Sequence, residues 1–386
     1  MTSGPRVLMA VGVDARALPL SGPKRDYTEV VTLVNADLVD LGDVDRSAIA
    51  RSIRFVLGNA PALAWLSFSR RARYDVIVTD GEHVGIPLAL MLRCSRSRVK
   101  HITIGHRLSA RKKRPFFRLL RAQARMDLIA VHARRQYDIA IHDLGIERGR
   151  LALVPYQVDT KFFHPRSVPE ERLIVSAGLE FRDYPTLFHA VDGLAAEVVV
   201  AAASHWSRHT LATATPPKNV RIERFGYEEL RALYARAAIV VVPLADVDNQ
   251  AGVTTILEAM AMGKAVIVSQ SLGQTDVIED RRMVGRGSLR PRPAGFARAL
   301  AAPTERAVRA TGFYVAPGDP AELRRAIDFL LAHPEERLRL GQAGRDVAES
   351  LFTVEQFGER IQELITRACR SADDGARRSD LLRSEA

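Results

Sequence analysis

Cysteine is nearly absent: only Cys94 and Cys369 occur in 386 residues. Two isolated thiols make neither a disulfide framework nor a metal-ligand spacing, so a reducing cytoplasm is the expected setting and no metal site is expected. Long apolar runs are missing too. The longest, around Val84 to Leu92 and Leu194 to Ala203, are about half of the roughly 18 residues that a membrane span requires. Met1-Thr-Ser-Gly-Pro-Arg6 leads straight into Val7-Leu-Met-Ala-Val11, too short for a secretory apolar region and better read as a buried first strand. Aromatic residues make up 6%, and without stacking platforms or a recognised motif a nucleic-acid partner is not expected.

The most local absence is that of acid. Between Met91 and Arg125 there is no Asp or Glu, while twelve Lys and Arg residues fall there. The chain's formal net charge is +11, so this one segment accounts for it and the remainder is close to neutral. Within the segment, Arg111, Lys112, Lys113, Arg114, Arg118, Arg121 and Arg125 suggest a surface that meets something anionic, such as a lipid leaflet. Helical spacing of 3 and 4 would put Arg118, Arg121 and Arg125 on one stripe, with Phe116, Leu119, Leu120 and Ala124 supplying core contacts.

Hydrophobic residues at 47% and charged residues at 26% fit a soluble globular protein, and the length fits two domains. Short β-rich runs alternate with stretches of helical period, the pattern of an α/β fold with parallel sheets. Strands are expected at Val7–Val11, Tyr74–Thr79, Lys100–Ile104, Asp127–Val131 and Leu151–Val154. A second series follows at Arg172–Ala177, Glu197–Ala202, Asn219–Glu223, Ala238–Pro243 and Lys264–Ser269. Helices fit between them, including Ala48–Leu66 kinked or ended at Pro61. The segment between Val158 and Glu171 reads as an interdomain linker. That gives a first domain over 1–165, a second domain over 166–352, a final helix over 353–370 crossing back to the first, and a disordered tail over 371–386. Doubly wound domains bind ligands at the carboxyl ends of their strands, so a cleft lined by both sets of ends is the expected site.

One stretch carries most of the chemistry: a buried strand ending near Pro243, a polar loop with Gln250 and Gly252, a helix opening at Thr254 or Thr255, and Gly263 before the next strand. A helix start reached through a glycine loop offers free N–H groups and the positive dipole end to a phosphate. Glu258, one turn inside, can accept hydrogen bonds from a ribose diol. The run resembles the donor-binding motif of retaining GT-B glycosyltransferases, especially glycosyltransferase family 4, where two glutamates stand eight positions apart before an Ala-Met-Ala-x-Gly sequence. Glu258 matches the second glutamate and Gln250 replaces the first.

The resemblance implies two Rossmann-like domains, a nucleoside diphosphate sugar as donor, retention at the anomeric carbon, and no cofactor. It implies that Gly252, Val253 and Thr254 face the donor's phosphates and that Gln250 faces sugar hydroxyls. Ala177-Gly-Leu-Glu-Phe-Arg-Asp-Tyr-Pro-Thr186 resembles the family's first donor-domain turn, which assigns Gly178 and Arg182 to the diphosphate, with Lys264 as a further cation. The family's arginine after that glycine is Leu179 here. His106, at the end of Ile102-Thr-Ile-Gly-His106, matches a histidine near the transferred sugar, and Glu82 and His83 are comparable strand-end candidates. The expected activity is hexosyl transfer to an acceptor by a cytoplasmic protein, peripheral on the inner membrane face. The alternatives are a noncatalytic nucleotide-sugar-binding or membrane-docking protein, or a sugar-nucleotide epimerase or phosphorylase, on the same fold.

Overall fold

The computed structural model describes residues 4–17, 21–202, 215–279 and 310–384, with side chains through residue 370. The chain divides into two compact units, one made of Met1–Ser21, Arg25–Val154 and Glu355–Ala386, the other of Gly22–Lys24 and Pro155–Val354. Among the described residues each unit holds one six-stranded sheet, and every strand pairing is parallel.

In the first unit β1 (Val7–Val11), β2 (Asp37–Val39), β3 (Val76–Asp80), β4 (Lys100–Gly105), β5 (Leu128–Val131) and β6 (Leu151–Leu153) lie in the order β2-β1-β3-β4-β5-β6. Strands buried on both faces must be apolar throughout, and β1 is. Val7, Met9 and Val11 point to a layer holding Tyr27, Val30, Phe357 and Ile361. Leu8 and Ala10 point to the opposite layer, with Leu63, Val84 and Leu88. Each such large side chain contributes about 1.5–3 kcal/mol on burial. Phe357, Ile361, Leu364, Ile365 and Ala368 all enter the first unit's core, so the last helix, Val354–Ser384, completes a sheet begun at residue 7.

In the second unit β7 (Leu173–Ala177), β8 (Glu197–Ala201), β9 (Val220–Glu223), β10 (Ile239–Val242), β11 (Ala265–Ser269) and β12 (Gly312–Val315) lie in the order β12-β11-β10-β7-β8-β9. Strand order reverses between β1 and β3 in one sheet and between β7 and β10 in the other. At each switch point successive connections leave to opposite sides, which opens a crevice at the strands' carboxyl ends.

Several sequence expectations change. The helix expected over Ala48–Leu66 is two helices, Ala48–Leu57 and Asn59–Arg70. The break is at Gly58, whose φ of 89° suits glycine, while Pro61 sits in the first turn of the second helix, where its missing N–H costs little. The expected linker is packed into the second unit. Phe163 is buried, its ring centroid 6.3 Å from that of Tyr234, and Arg345 Nη1 donates to the carbonyls of Thr160 at 3.2 Å, Phe163 at 2.8 Å and Ala261 at 2.6 Å. The last helix continues to Ser384 instead of giving way to an aperiodic tail near Arg370. The sequence beyond Arg370 is polar but contains no proline to stop a helix.

Helix Val253–Ala261 ends with Gly263 at a φ of 67°, where Gly263 N–H donates to Met260 O and Lys264 N–H to Ala259 O, each at 2.9 Å. Helix Pro334–Leu351 lies against this turn through Gly341, where a Cβ would stand 2.0 Å from Gly263 O. Gly341→Ala is therefore expected to destabilise the protein by about 1–3 kcal/mol in urea unfolding. Gly344→Ala, whose new methyl would meet Met260 Cγ at 3.3 Å, is expected to cost distinctly less because that side chain can yield.

Candidate functional site

At the β7/β10 switch point Arg182 is fixed by neutral partners. Its Nε donates to Ala177 O at 2.9 Å, its Nη1 to Glu180 O at 3.0 Å and its Nη2 to Thr255 Oγ1 at 3.1 Å. Thr255 in turn donates to Ala177 O at 3.3 Å. Two left-handed glycines leave room for this guanidinium. A Cβ on Gly178 (φ 92°) would stand 2.6 Å from Arg182 Nη2, and one on Gly252 (φ 76°) would stand 3.3 Å from Arg182 Nη1 and 2.7 Å from Val242 Cγ1. Gly252 is also the N-cap of helix Val253–Ala261, and the first backbone acceptor used is its own carbonyl, from Ile256 N–H at 3.1 Å. The amides of Val253, Thr254 and Thr255 thus form the open, positive end of the helix beside the arginine.

Glu258, deeper in the same helix, is buried and accepts a hydrogen bond from Tyr234 OH at 3.0 Å. Burial pushes its carboxyl up to about 7, against the opposing pull of Tyr234 and Arg182. Gln250 lies in the loop before the helix, and both polar atoms of its amide are buried without a hydrogen-bond partner. Asn249 Oδ1, Ser271 Oγ and Gln274 Oε1 are in the same condition. The two loops that carry them are stapled together. Leu272 N–H donates to Asp246 Oδ1 at 2.9 Å, Gly273 N–H to Val247 O at 2.8 Å, and Gln274 Nε2 to Ala251 O at 3.0 Å.

Arg182, Gly178, Gly252, Val253, Thr254, Glu258 and Gln250 thus belong to elements at one end of this sheet. Lys264 does not join them. It precedes β11, and in a parallel sheet the amino ends share the opposite edge. There its Nζ donates to Ala235 O at 2.7 Å. Tyr234, Ser271 and Gln274 are additions that sequence reasoning missed, and Thr255, expected only at the helix opening, joins them. The hydroxyl of Thr255, three residues into the motif, was the readable signal, whereas Tyr234 reaches Glu258 from another helix.

The first unit gathers ionisable groups at its own switch point. Glu82 opens helix Glu82–Arg93 and accepts from the backbone N–H of His106 at 2.9 Å and of Arg107 at 3.1 Å, and from Lys113 Nζ. Burial would raise its pKa, but Lys113 and His106 outweigh that and hold it at about 2. His106 Nε2 shares a hydrogen bond with Asp80 Oδ1 at 3.3 Å. The protein packed around it pulls its imidazole down although 39% of the side chain is exposed, yet Asp80, Glu82 and Asp26 more than offset this and raise it to about 9. His132 packs against it, ring centroids 5.2 Å apart. Burial and the His106 charge keep His132 neutral, at about 3, and its Nδ1 pairs with Val154 O at 2.9 Å. His83 is exposed, its Nε2 3.0 Å from where a Gly12 Cβ would be. Asp80, Asp26 and His132 were missed, although His132 follows β5 as His106 follows β4.

The basic segment is less uniform than its sequence. Its helix covers only Arg114–Arg118, Arg121 has a φ of 48° and Ala122–Arg125 is a 3-10 turn, so Arg118, Arg121 and Arg125 form no common helical stripe. Lys113 is drawn in by Glu82, and Arg125 is half-buried with Nη2 on Ser97 O at 2.8 Å. Arg111, Lys112, Arg114, Arg118 and Arg121 stay exposed. Phe117 supplies the core contact, while Phe116, Leu119 and Leu120 are exposed.

Among the described residues no helix is long and apolar enough to cross a membrane, and no cluster of three or more His, Cys, Asp or Glu side chains is placed to hold a metal ion.

Residues 208–347 match the family model described as Glycosyl transferases group 1. Among solved structures, a glycosyltransferase from Rickettsia africae ESF-5 is 14% identical with a TM-score of 0.64, covering 94% of this chain and 98% of its own. Sucrose-phosphate synthase from Thermosynechococcus elongatus is 16% identical with a TM-score of 0.65, covering 95% and 100%. Anabaena Alr3699/HepE in complex with UDP-glucose is 14% identical with a TM-score of 0.65, covering 94% and 100%. These neighbours share the fold, and the two parallel sheets with flanking helices are the α/β GT-B architecture. No curated protein matches the chain.

Replacing Asp80 by Asn removes the first acidic partner of His106. In a histidine NMR titration the parent imidazole is expected to stay protonated through neutral pH. The D80N imidazole is expected to titrate nearer its ordinary value of about 6.5. An unchanged midpoint would show that Asp80 does not hold the proton.

Proposed function

We propose that this protein transfers a sugar from a nucleoside diphosphate sugar to an acceptor, with retention at the anomeric carbon, as a hexosyltransferase of family 4 type. The observation that carries the reading is Arg182 at the switch point. Its hydrogen-bond partners there are neutral, two glycines clear the space around it, and it stands beside the open end of helix Val253–Ala261. A cation whose charge no bonded carboxylate cancels, next to a positive helix end, is suited to an anion of diphosphate type.

The roles follow from this arrangement. Glu258 accepts from the ribose hydroxyls, and the Val253 and Thr254 amides and Arg182 face the diphosphate. As the glycosidic bond breaks, negative charge grows on the departing diphosphate, and donors already in place stabilise it without reorganising. The proposal gives this task to the arginine and the amides rather than to a metal or cofactor. Gln250 faces the sugar, where hydroxyls would pair its buried amide, a group that is costly to leave unbonded at about 1–3 kcal/mol. His106, held protonated by Asp80, is assigned to the transferred sugar and its acceptor. The family match over 208–347 and the binding of UDP-glucose by the Anabaena neighbour support a nucleotide sugar as donor.

A second reading concerns location. Arg111, Lys112, Arg114, Arg118 and Arg121 surround exposed Phe116, Leu119 and Leu120, a combination that suits peripheral docking on an anionic cytoplasmic leaflet and hence a lipid-linked acceptor.

Calorimetry with UDP-, GDP-, ADP- and dTDP-sugars tests the donor site. One class is expected to bind, and Arg182→Ala and Glu258→Ala are each expected to weaken it about 10- to 100-fold, the loss of a charged hydrogen bond of about 1.5–3 kcal/mol. Binding by neither parent nor variants, or equal binding by Glu258→Ala, would sink the reading. Because the ionised Glu258 accepts from two hydroxyls, donor affinity is expected to rise as pH passes upward through about 7. Tyr234→Phe removes a hydrogen bond that favours the carboxylate, so that midpoint should move to higher pH in the same titration.

A further inference from the structure

A second exposed element of the first unit stands apart from the basic segment. Helix Ala48–Leu57 buries Ala50 and half-buries Ile53, yet leaves Ile49 59%, Phe55 92%, Val56 75% and Leu57 63% exposed. Of the eleven large hydrophobic side chains exposed among the described residues, seven lie either here or at Phe116, Leu119 and Leu120. Single exposed apolar residues are ordinary, but a contiguous Phe-Val-Leu tip at a helix end is not.

Its charge setting narrows the occupant. From Arg46 to Tyr74 there are six arginines and no Asp or Glu. Arg54 pairs with Asp45 at 2.6 Å, and Arg46 and Arg70 reach Asp43 at 2.5 Å and 3.8 Å, so these three are offset by acids just before the helix. Arg51 is exposed and is bonded only to a carbonyl, Asp45 O, at 2.5 Å. Arg73 is exposed as well. A second copy of the chain would set these cations against their own kind, and a nucleic acid would have no use for the apolar tip. An anionic bilayer accepts both, taking Phe, Val and Leu at the acyl boundary and arginines at the headgroups.

We propose that helix Ala48–Leu57 inserts its Phe55-Val56-Leu57 end into the interface of an anionic membrane, anchoring a protein whose basic segment supplies the longer-range attraction. The inference deepens the membrane reading above and is independent of sugar transfer. A single weakly attractive patch gives only reversible binding, whereas an apolar wedge together with a polybasic surface gives the two signals that stable attachment takes.

The test is flotation of the full-length protein with vesicles of phosphatidylcholine alone or with phosphatidylglycerol added. The parent is expected to float with the mixed vesicles only. The variant carrying Phe55→Ser, Val56→Ser and Leu57→Ser is expected to lose about tenfold in partitioning, with its urea midpoint unchanged because the three side chains are exposed. In Phe55→Trp, the emission added to the parent spectrum should shift to the blue on binding. Flotation of the triple variant equal to the parent, or an added emission that does not move, would overturn the proposal. So would a dimer in sedimentation that the triple variant abolishes while the parent ignores vesicles. Arg111→Glu with Lys112→Glu probes the basic segment separately: loss of flotation there alone, with the triple variant unaffected, keeps the basic segment and removes the helix as anchor.

Discussion

Parallel strand pairing is the constraint on which the rest depends. Each parallel strand must be followed by a crossover before the next can pair, so all carboxyl ends in a sheet share one edge. Both candidate sites occupy such edges at the points where strand order reverses. In the second unit Ala177 and Val242 end the strands that flank the reversal, and Arg182, Gly178 and Gly252 gather there. In the first, β1 and β3 end at Val11 and Asp80, and Gly12, the helix start at Glu82 and His83, and His106 just beyond β4 gather at that edge. The same polarity excludes Lys264, which is near the motif in sequence but belongs to the other edge.

Two buried glutamates show how neighbours decide charge. Glu82 and Glu258 are both almost inaccessible, and burial alone would neutralise either. Glu82 accepts from two backbone amides and an ammonium group and stays ionised. Glu258 has one phenol bonded to it and the Arg182 charge nearby, and its proton is held near neutrality. The first is a fixed bracket for the His106 loop. The second is poised to change with what binds.

The strands were readable because side chains buried on both faces leave unbroken apolar runs, as at Ile239–Val242 and over the first four residues of Ala265–Ser269. The glycine loop before Glu258 was readable because backbone conformation and helix opening are local properties. What escaped was non-local. Nothing in Pro155 to Phe163 signals that Arg345 will bind its carbonyls, since that donor lies far along the chain. Lys113 looks like one more surface cation until Glu82 is placed beside it. The helix break fell at Gly58 rather than Pro61, because a proline in a first turn is harmless while a glycine can adopt the φ that ends the preceding helix.

The closing helix has a consequence for biosynthesis. The first unit's core is built from residues near both chain ends, with Met9 and Val78 packed in one cluster with Phe357, Ile361 and Ile365, while Pro155–Val354 makes up nearly all of the second unit. During translation the later-made unit has all of its core strands before the earlier one can finish. The first sheet must wait on the ribosome with one face short of its cover until the last helix emerges, a period in which an exposed apolar face is open to capture by chaperones or by other chains.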